Sequence, residues 1–304
     1  MIKILSVNLA NERGIKHSVK EIELIEDGIK GDVHRGTGNR QVSIIDLSHI
    51  EQFKKLTAAR ETEYGEFAEN LTVSGINDNE IIPFDKFKIG DAELEVTQIG
   101  KPFHDKFREL GNYVMPRVGI FCRVSKTGTV KAGDRMQYIP KTYKALIITL
   151  SDRVSRGIYR DKSGPAIFMQ LTGFFEKYNL PFDIETEIIP DDEKKLKTLI
   201  SNATKEKYDV IITTGGTGIG KRDITVETVQ PMLDKEIPGI TEHIRIKYGS
   251  IKPNALLSRG VAGTIADSLV YTLPGSVKAV NEYMTEILKT LHHLFYMLRG
   301  IDVH

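Results

Sequence analysis

The sequence predicts two domains in series: a mostly-β, barrel-like domain over residues 1–140, and an α/β three-layer domain with a mainly parallel sheet over residues 141–304. Three observations carry that prediction. Up to about residue 140, short runs of alternating apolar and polar residues are punctuated by Gly and Asp, with few helical stretches. At YIPKTYK (residues 138–144), Pro140 and its polar flanks suit a linker, and the rhythm changes. Solid apolar runs, the mark of strands buried on both faces, then alternate with segments of helical period.

In the first half, six segments read as strands with their turns: IKILSVNLA (2–10), VKEIELIEDG (19–28), RQVSIIDL (40–47), NLTVSGI (70–76), DAELEVTQIG (91–100) and GIFCRVSKTGTVKAGD (119–134). HIEQFKKL (49–56) is the clearest helix. In the second half, ALIITLS (145–151), FDIETEIIP (182–190), DVIITTGG (209–216) and SLVYTLPG (268–275) read as the sheet strands. The last segment is an amphipathic helix whose apolar stripe includes Val280, Met284, Ile287, Leu291 and Leu298. His292 and His293 are adjacent on it and point about 100° apart, so they read as surface and boundary residues rather than joint metal ligands.

Composition excludes several function classes. A net charge of +1 over 304 residues leaves no electrostatic footprint for nucleic acid, although a small anion needs only a local basic pocket. No run of about 18 apolar residues is present, so no membrane span is expected. The single cysteine, Cys122, rules out an internal disulfide, and the N-terminal MIKILSVNLANERG lacks a signal-peptide pattern, so a cytoplasmic location is expected.

In a parallel sheet, ligands bind beyond the carboxyl ends of the strands. There the chain places Ser151-Asp152-Arg153, Asp191-Asp192, Thr214-Gly215-Gly216-Thr217-Gly218 and Pro274-Gly275-Ser276. Glycine backbone, hydroxyls and carboxylates together are an inventory for magnesium and phosphate. GGTGIGKR (215–222) nearly spells a P-loop, but the hydroxyl that would ligate magnesium after the lysine is replaced by Arg222. A guanidinium cannot coordinate a cation, and the next residue, Asp223, is a hard oxygen ligand. Asp223 is therefore the first expected metal ligand, with Asp191 from the neighbouring strand end as its partner and Arg222 read as structural. The competing reading is a glycine turn followed by an N-cap, in which Thr225 as the cap would leave the Asp223 carboxylate free. Asp192 and Glu193 read as the start of a solvated helix.

With these residues in place, residues 143–304 resemble the molybdopterin adenylyltransferase family of molybdenum cofactor biosynthesis. The matching pieces stand in the family's order: ITLSDRVSRGIYRDKSGP (148–165), IIPDD (188–192), TTGGTGIGKRDITVETV (213–229), SRGVAG (258–263) and LPGSVKAV (273–280). The resemblance implies a homotrimer formed through this domain, which joins ATP to molybdopterin with Mg²⁺ and releases pyrophosphate. It also implies catalytic aspartates at Asp191 and Asp223. Residues 1–140 resemble the MOSC domain through GIKGDVHRGTGNRQVSIIDLSHIE (28–51), GEFAENLTVSGI (65–76) and FKIGDAELEVTQIGKPFH (87–104). That family commonly carries a cysteine where this chain has Phe103, and a phenyl ring holds neither a persulfide nor a molybdenum bond. Cys122 reads as a small buried hydrophobe. Arg40 and Lys101 are candidate anion contacts for a cofactor phosphate, and Asp32, His34 and Arg40 equally suit bracing of a long loop.

The expected function is Mg-ATP-dependent adenylylation of molybdopterin, with the β domain binding or passing on the pterin. Other molybdenum cofactor biosynthesis proteins are candidate partners. The alternative is a non-catalytic molybdopterin carrier on the same fold. A P-loop kinase or GTPase is disfavoured by Arg222.

Overall fold

The computed structural model describes residues 1–304 other than 13, 37, 58–61, 101–116 and 302–304. The chain divides into two compact units, Met1–Lys141 and Thr142–His304.

In the first unit the strands are β1 (Ile2–Leu9), β2 (His17–Val19), β3 (Glu21–Ile25), β4 (Gly28–Ile29), β5 (Val42–Asp46), β6 (Leu71–Ser74), β7 (Lys86–Ile89), β8 (Ala92–Ile99), β9 (Ile120–Lys126), β10 (Gly128–Lys131) and β11 (Arg135–Ile139). Seven of them close into a barrel in the order β11-β7-β8-β9-β5-β6-β1, because β1 pairs back onto β11. Closure requires curvature, which the register slips between Ile4 and Ser6 and between Val96 and Gln98 supply. Alternation sends Ile4, Val42, Ile44, Leu71, Phe87, Leu94 and Val96 into one core, together with Cys122. Helix α1 (Leu47–Thr57) covers the wall outside, where Ile50 packs with Phe67 and Phe121, and the Phe53 and Phe67 rings meet edge-on at 5.2 Å.

The second unit comprises β12 (Tyr143–Leu150), α2 (Asp152–Ser155), α3 (Ser163–Lys177), β13 (Phe182–Ile189), α4 (Glu193–Lys205), β14 (Val210–Thr214), α5 (Thr225–Val229), β15 (Lys235–Glu236), α6 (Pro238–Gly249), β16 (Ala262–Ile265), β17 (Ser268–Leu273) and α7 (Val277–Leu298). The sheet order is β13-β12-β14-β17-β16-β15. The first four strands are parallel, and at one edge β16 pairs antiparallel with β17 and β15 antiparallel with β16. Leu146, Ile148 and Leu150 face Leu196 and Ile200 of α4, whereas Tyr143 packs on Phe175 of α3 and Phe295 of α7, so helices cover both faces. Asp192 caps α4 by accepting from the Lys195 N–H at 3.0 Å, and Ser276 caps α7 by accepting from Ala279 at 3.3 Å.

Strands β2, β4, β7, β11, β15 and β16 are not among the sequence expectations. Tyr138 and Ile139, read from sequence as part of the linker, belong to β11, and Tyr143 and Lys144 already belong to β12. Only residues 140–142 separate the two strands.

Candidate active site

The parallel register assembles the site. Leu150 pairs with Ile189, Thr149 with Thr214, and Thr214 with Leu273, so four strands end in one row and their following loops share one end of the sheet. The loop after β14 turns back at Gly215, whose φ of +100° and position against the Leu150 carbonyl leave no room for a Cβ. Thr214 Oγ1 donates to the Pro274 carbonyl at 2.9 Å, joining this loop to the one after β17. Thr225 is not a helix cap: the capping position of α5 is Ile224, without a side-chain bond, and Thr225 Oγ1 donates instead to the Gly215 carbonyl at 2.8 Å. A buried hydroxyl so close to an unpaired carbonyl satisfies both groups, which outweighs the capping preference.

Asp223 closes the other end of the loop. Its Oδ2 accepts from the Gly220 N–H at 2.7 Å, and its own N–H donates to the Gly220 carbonyl at 3.0 Å. The N–H groups of Gly216, Thr217 and Gly218 donate to no acceptor among the described residues. Successive free amides in a turn form an anion-binding concavity. Gly215 to Gly218, Asp223, Pro274, Gly275 and Ser276 line a cleft of about 440 Å³ together with Tyr248, Lys252, Ser258, Lys278 and Tyr283. That volume lies in the range of small-ligand sites.

Beside the cleft stand the carboxylates of the first two strand ends. The Asp152 N–H donates to Asp191 Oδ2 at 3.3 Å, and the Asp191 N–H donates to Asp152 Oδ1 at 3.4 Å. Arg222 forms an ion pair with the free oxygen of Asp152. Burial pushes the Asp191 carboxyl above the usual carboxylate range, and the neighbouring charges of Asp152 and Asp223 add to the rise, while the Asp152 N–H and Arg222 oppose it. Ser151 caps the short α2, accepting from the Val154 N–H at 3.3 Å. Among the described residues, no group of three or more His, Cys, Asp or Glu is arranged to hold a metal. Asp191 and Asp223 are two hard oxygen ligands beside a phosphate-type loop, and this donor set suits Mg²⁺, which takes one or two carboxylates and completes its shell with phosphate and water.

Arg259 is a site residue that sequence reasoning did not single out. Its Nε donates to the Gly218 carbonyl at 2.9 Å and its terminal nitrogens to both oxygens of Glu227, at 2.5 and 3.1 Å. Its position in SRGVAG, a charge entering a small-residue strand, was the available signal. Glu286 of α7 was likewise missed: buried, it accepts from Lys247 at 2.7 Å, Tyr248 at 3.2 Å and Lys289 at 2.8 Å, and pairs with His243 at 3.2 Å. This network ties α6 to α7 beside the cleft.

In the first unit, Asp32 braces a loop, accepting from the His34 N–H at 2.8 Å and from Asn70 Nδ2 at 3.0 Å. Arg40 is exposed, with its guanidinium 6.0 Å from the Phe121 ring centroid and outside the Asp32 bonds. Lys101 and Phe103 lie outside the described residues. Cys122 is wholly buried opposite Val42, and burial drives its thiol far above the range where a thiolate forms.

An unengaged glycine-loop nest and paired aspartates at the strand ends of a three-layer α/β domain are features that suit phosphate. The model of the family described as probable molybdopterin binding domain matches residues 146–293, and that of the MOSC domain matches residues 31–137. Molybdopterin adenylyltransferase of Pyrococcus furiosus is 38% identical over 165 residues, covering 53% of this chain and 92% of that protein. Gephyrin of Dictyostelium discoideum is 37% identical over 161 residues, which span 51% of this chain and only 22% of gephyrin. A solved structure, the tungsten cofactor synthesizing protein MoaB from Pyrococcus furiosus, is 37% identical, covering 53% of this chain and 99% of its own, with a TM-score of 0.47. The chain belongs, through its second unit, to the family of molybdenum cofactor biosynthesis proteins that includes molybdopterin adenylyltransferase, and its first unit carries a MOSC domain.

Proposed function

We propose that the second unit is a Mg²⁺- and ATP-dependent molybdopterin adenylyltransferase. The observation that carries this reading is the run of unengaged amides at Gly216, Thr217 and Gly218, bordering the cleft beside Asp191 and Asp223. Adenylyl transfer to a phosphate brings two anions together, so neutralisation and alignment are the main tasks and no protein nucleophile is needed. The loop amides hold phosphate oxygens, Ser276 Oγ keeps a proton to donate while it caps α7, and Lys252 and Lys278 supply positive charge in the lining. Asp191 and Asp223 are the groups that would hold Mg²⁺, which when bound withdraws charge from the phosphates. The MOSC domain in this reading binds or hands on the pterin without sulfur chemistry. Assembly is a homotrimer through the second unit, whose exposed Ile246, Ile251 and Leu256 offer apolar surface, testable by light scattering on the purified chain.

The test is purified protein with ATP, Mg²⁺ and molybdopterin under anaerobic conditions, following adenylyl-molybdopterin and pyrophosphate. Tight pterin binding without product would favour the second reading, a carrier. That reading draws on one observation, the use of Asp223 Oδ2 to brace its own loop.

A further inference from the structure

We propose that Arg222 is a resident counter-ion for the adjoining carboxylates of Asp152 and Asp191, holding the place of the positive charge that Mg²⁺ brings and competing with the ion for it. The inference rests on the reading of this site as a magnesium site and adds how the ion gains entry. Asp191 and Asp223 flank one short loop, and Asp152 adjoins Asp191. Asp191 Oδ1 lies 3.6 Å from the point where Gly216 would carry a Cβ, and Asp223 Oδ2 lies 2.7 Å from the same point on Gly218. Asp152 and Asp191 are locked face to face by their reciprocal amide bonds, so neither can turn away from the other's charge.

Such a group is unstable without a cation, because like charges at short range repel and partial burial removes the water that would screen them. Arg222 supplies the cation. It pairs with the Asp152 oxygen left free by Asp191, and through Asp152 it stands beside the Asp191 carboxylate. Asp152 retains 18% of its side-chain exposure while Arg222 retains 67%, so the anion is fixed and the cation is held only at its tip. A long side chain anchored in this way can leave without disturbing packing, whereas a buried partner could not. Its charge is permanent, since a guanidinium does not titrate in proteins. Mg²⁺ and a guanidinium share this volume only against their mutual repulsion, so the arginine sets a threshold for metal binding. In this light, the residue that spoils the P-loop spelling stands in for the metal.

The test measures the metal alone. The full-length protein without nucleotide is titrated with Mn²⁺, following the free ion by its electron paramagnetic resonance signal, with Mg²⁺ as competitor. Arg222→Gln should tighten ion binding roughly two- to fivefold, the factor to which an exposed ion pair worth up to about 1 kcal/mol converts. Arg222→Lys, which keeps the charge, should stay near the parent. Unchanged or weaker binding in Arg222→Gln, while Asp223→Asn abolishes binding, overturns the counter-ion role and leaves the metal site standing. Binding that ignores both Asp223→Asn and Asp191→Asn overturns the metal site itself, and this proposal with it.

Discussion

Arg259 Nε donates to the carbonyl oxygen of Gly218 at 2.9 Å, and the rest of the same guanidinium grips Glu227 of α5. The glycine loop, soft by composition, is thereby fixed to the helix that follows it. The Arg259 contact holds the Glu227 carboxyl below its usual range.

Arg259→Ala should therefore change folding stability by less than about 1 kcal/mol, since the pair is solvent-exposed, yet it should loosen the loop. Amide exchange at Gly220, Asp223 and Thr225, the hydrogen-bonded amides of the loop, should accelerate, and kcat should fall more than substrate affinity, because the loop amides would have to be ordered anew in the transition state. Arg259→Lys should behave nearly like Ala, as an ammonium cannot serve the carbonyl and both carboxylate oxygens in one plane. Unaltered exchange in both variants would remove the clamp.

What the sequence made legible follows from where the physics is local. Strands β12, β14 and β17 are buried on both faces, and their unbroken apolar runs announce them; the loops at their ends carry the site. Strands β7 and β11 present Lys88 and Gln137 to solvent, and β15 and β16 are two and four residues long, too short for a period to register. Arg259 acts on Gly218 across 41 residues and Thr225 acts on Gly215 across ten, distances at which local propensity is silent. The resemblance to a family supplied the catalytic role of Asp191 and Asp223, whereas the Arg222 contact to Asp152 exists only once the strand ends are in register.

Glu286 gives a pH prediction. Burial works to raise its carboxyl, but hydrogen bonds from Lys247 and Lys289 and their charges outweigh it and bring the value from 4.5 to about 2. A carboxylate depressed on folding contributes stability that is complete above its unfolded value and is lost as pH falls toward its folded value. The parent should thus lose part of its stability between about pH 4.5 and 2. Glu286→Gln should be flatter over that window and less stable at neutral pH by about 1 to 3 kcal/mol, because its donors lose an ionised acceptor. Melting temperature against pH by circular dichroism reads both effects; parallel curves would rule out this carboxylate as the titrating group.

Residues 142–304 should fold alone. The cluster built on Leu146, Ile148, Leu196, Ile200, Ile211 and Val270 draws on no residue before Thr142, and the barrel core draws on none after Lys141. The fragment is expected to show a cooperative thermal transition and ordered near-ultraviolet circular dichroism. A molten spectrum would mean that the second unit depends on the first.

Asp223→Asn separates chemistry from architecture. The native carboxylate accepts from the Gly220 N–H at 2.7 Å, and an amide oxygen of the same size can accept that bond, so the loop should keep its shape and the melting temperature should hardly move. What the amide lacks is charge, and a hard divalent ion in a phosphate site depends on it. Molybdopterin binding, resting on the other loops, should persist. Turnover should fall by at least ~10² to 10³, about 2.7 to 4 kcal/mol, by analogy with the loss of one preorganised transition-state contact. Were Asp223 only a brace for its loop, Asn would serve nearly as well and turnover would stay close to the parent's. Rates at saturating Mg²⁺, taken with melting curves on the same preparations, decide between the two: near-normal turnover at an unchanged melting temperature would leave Asp223 a structural role alone.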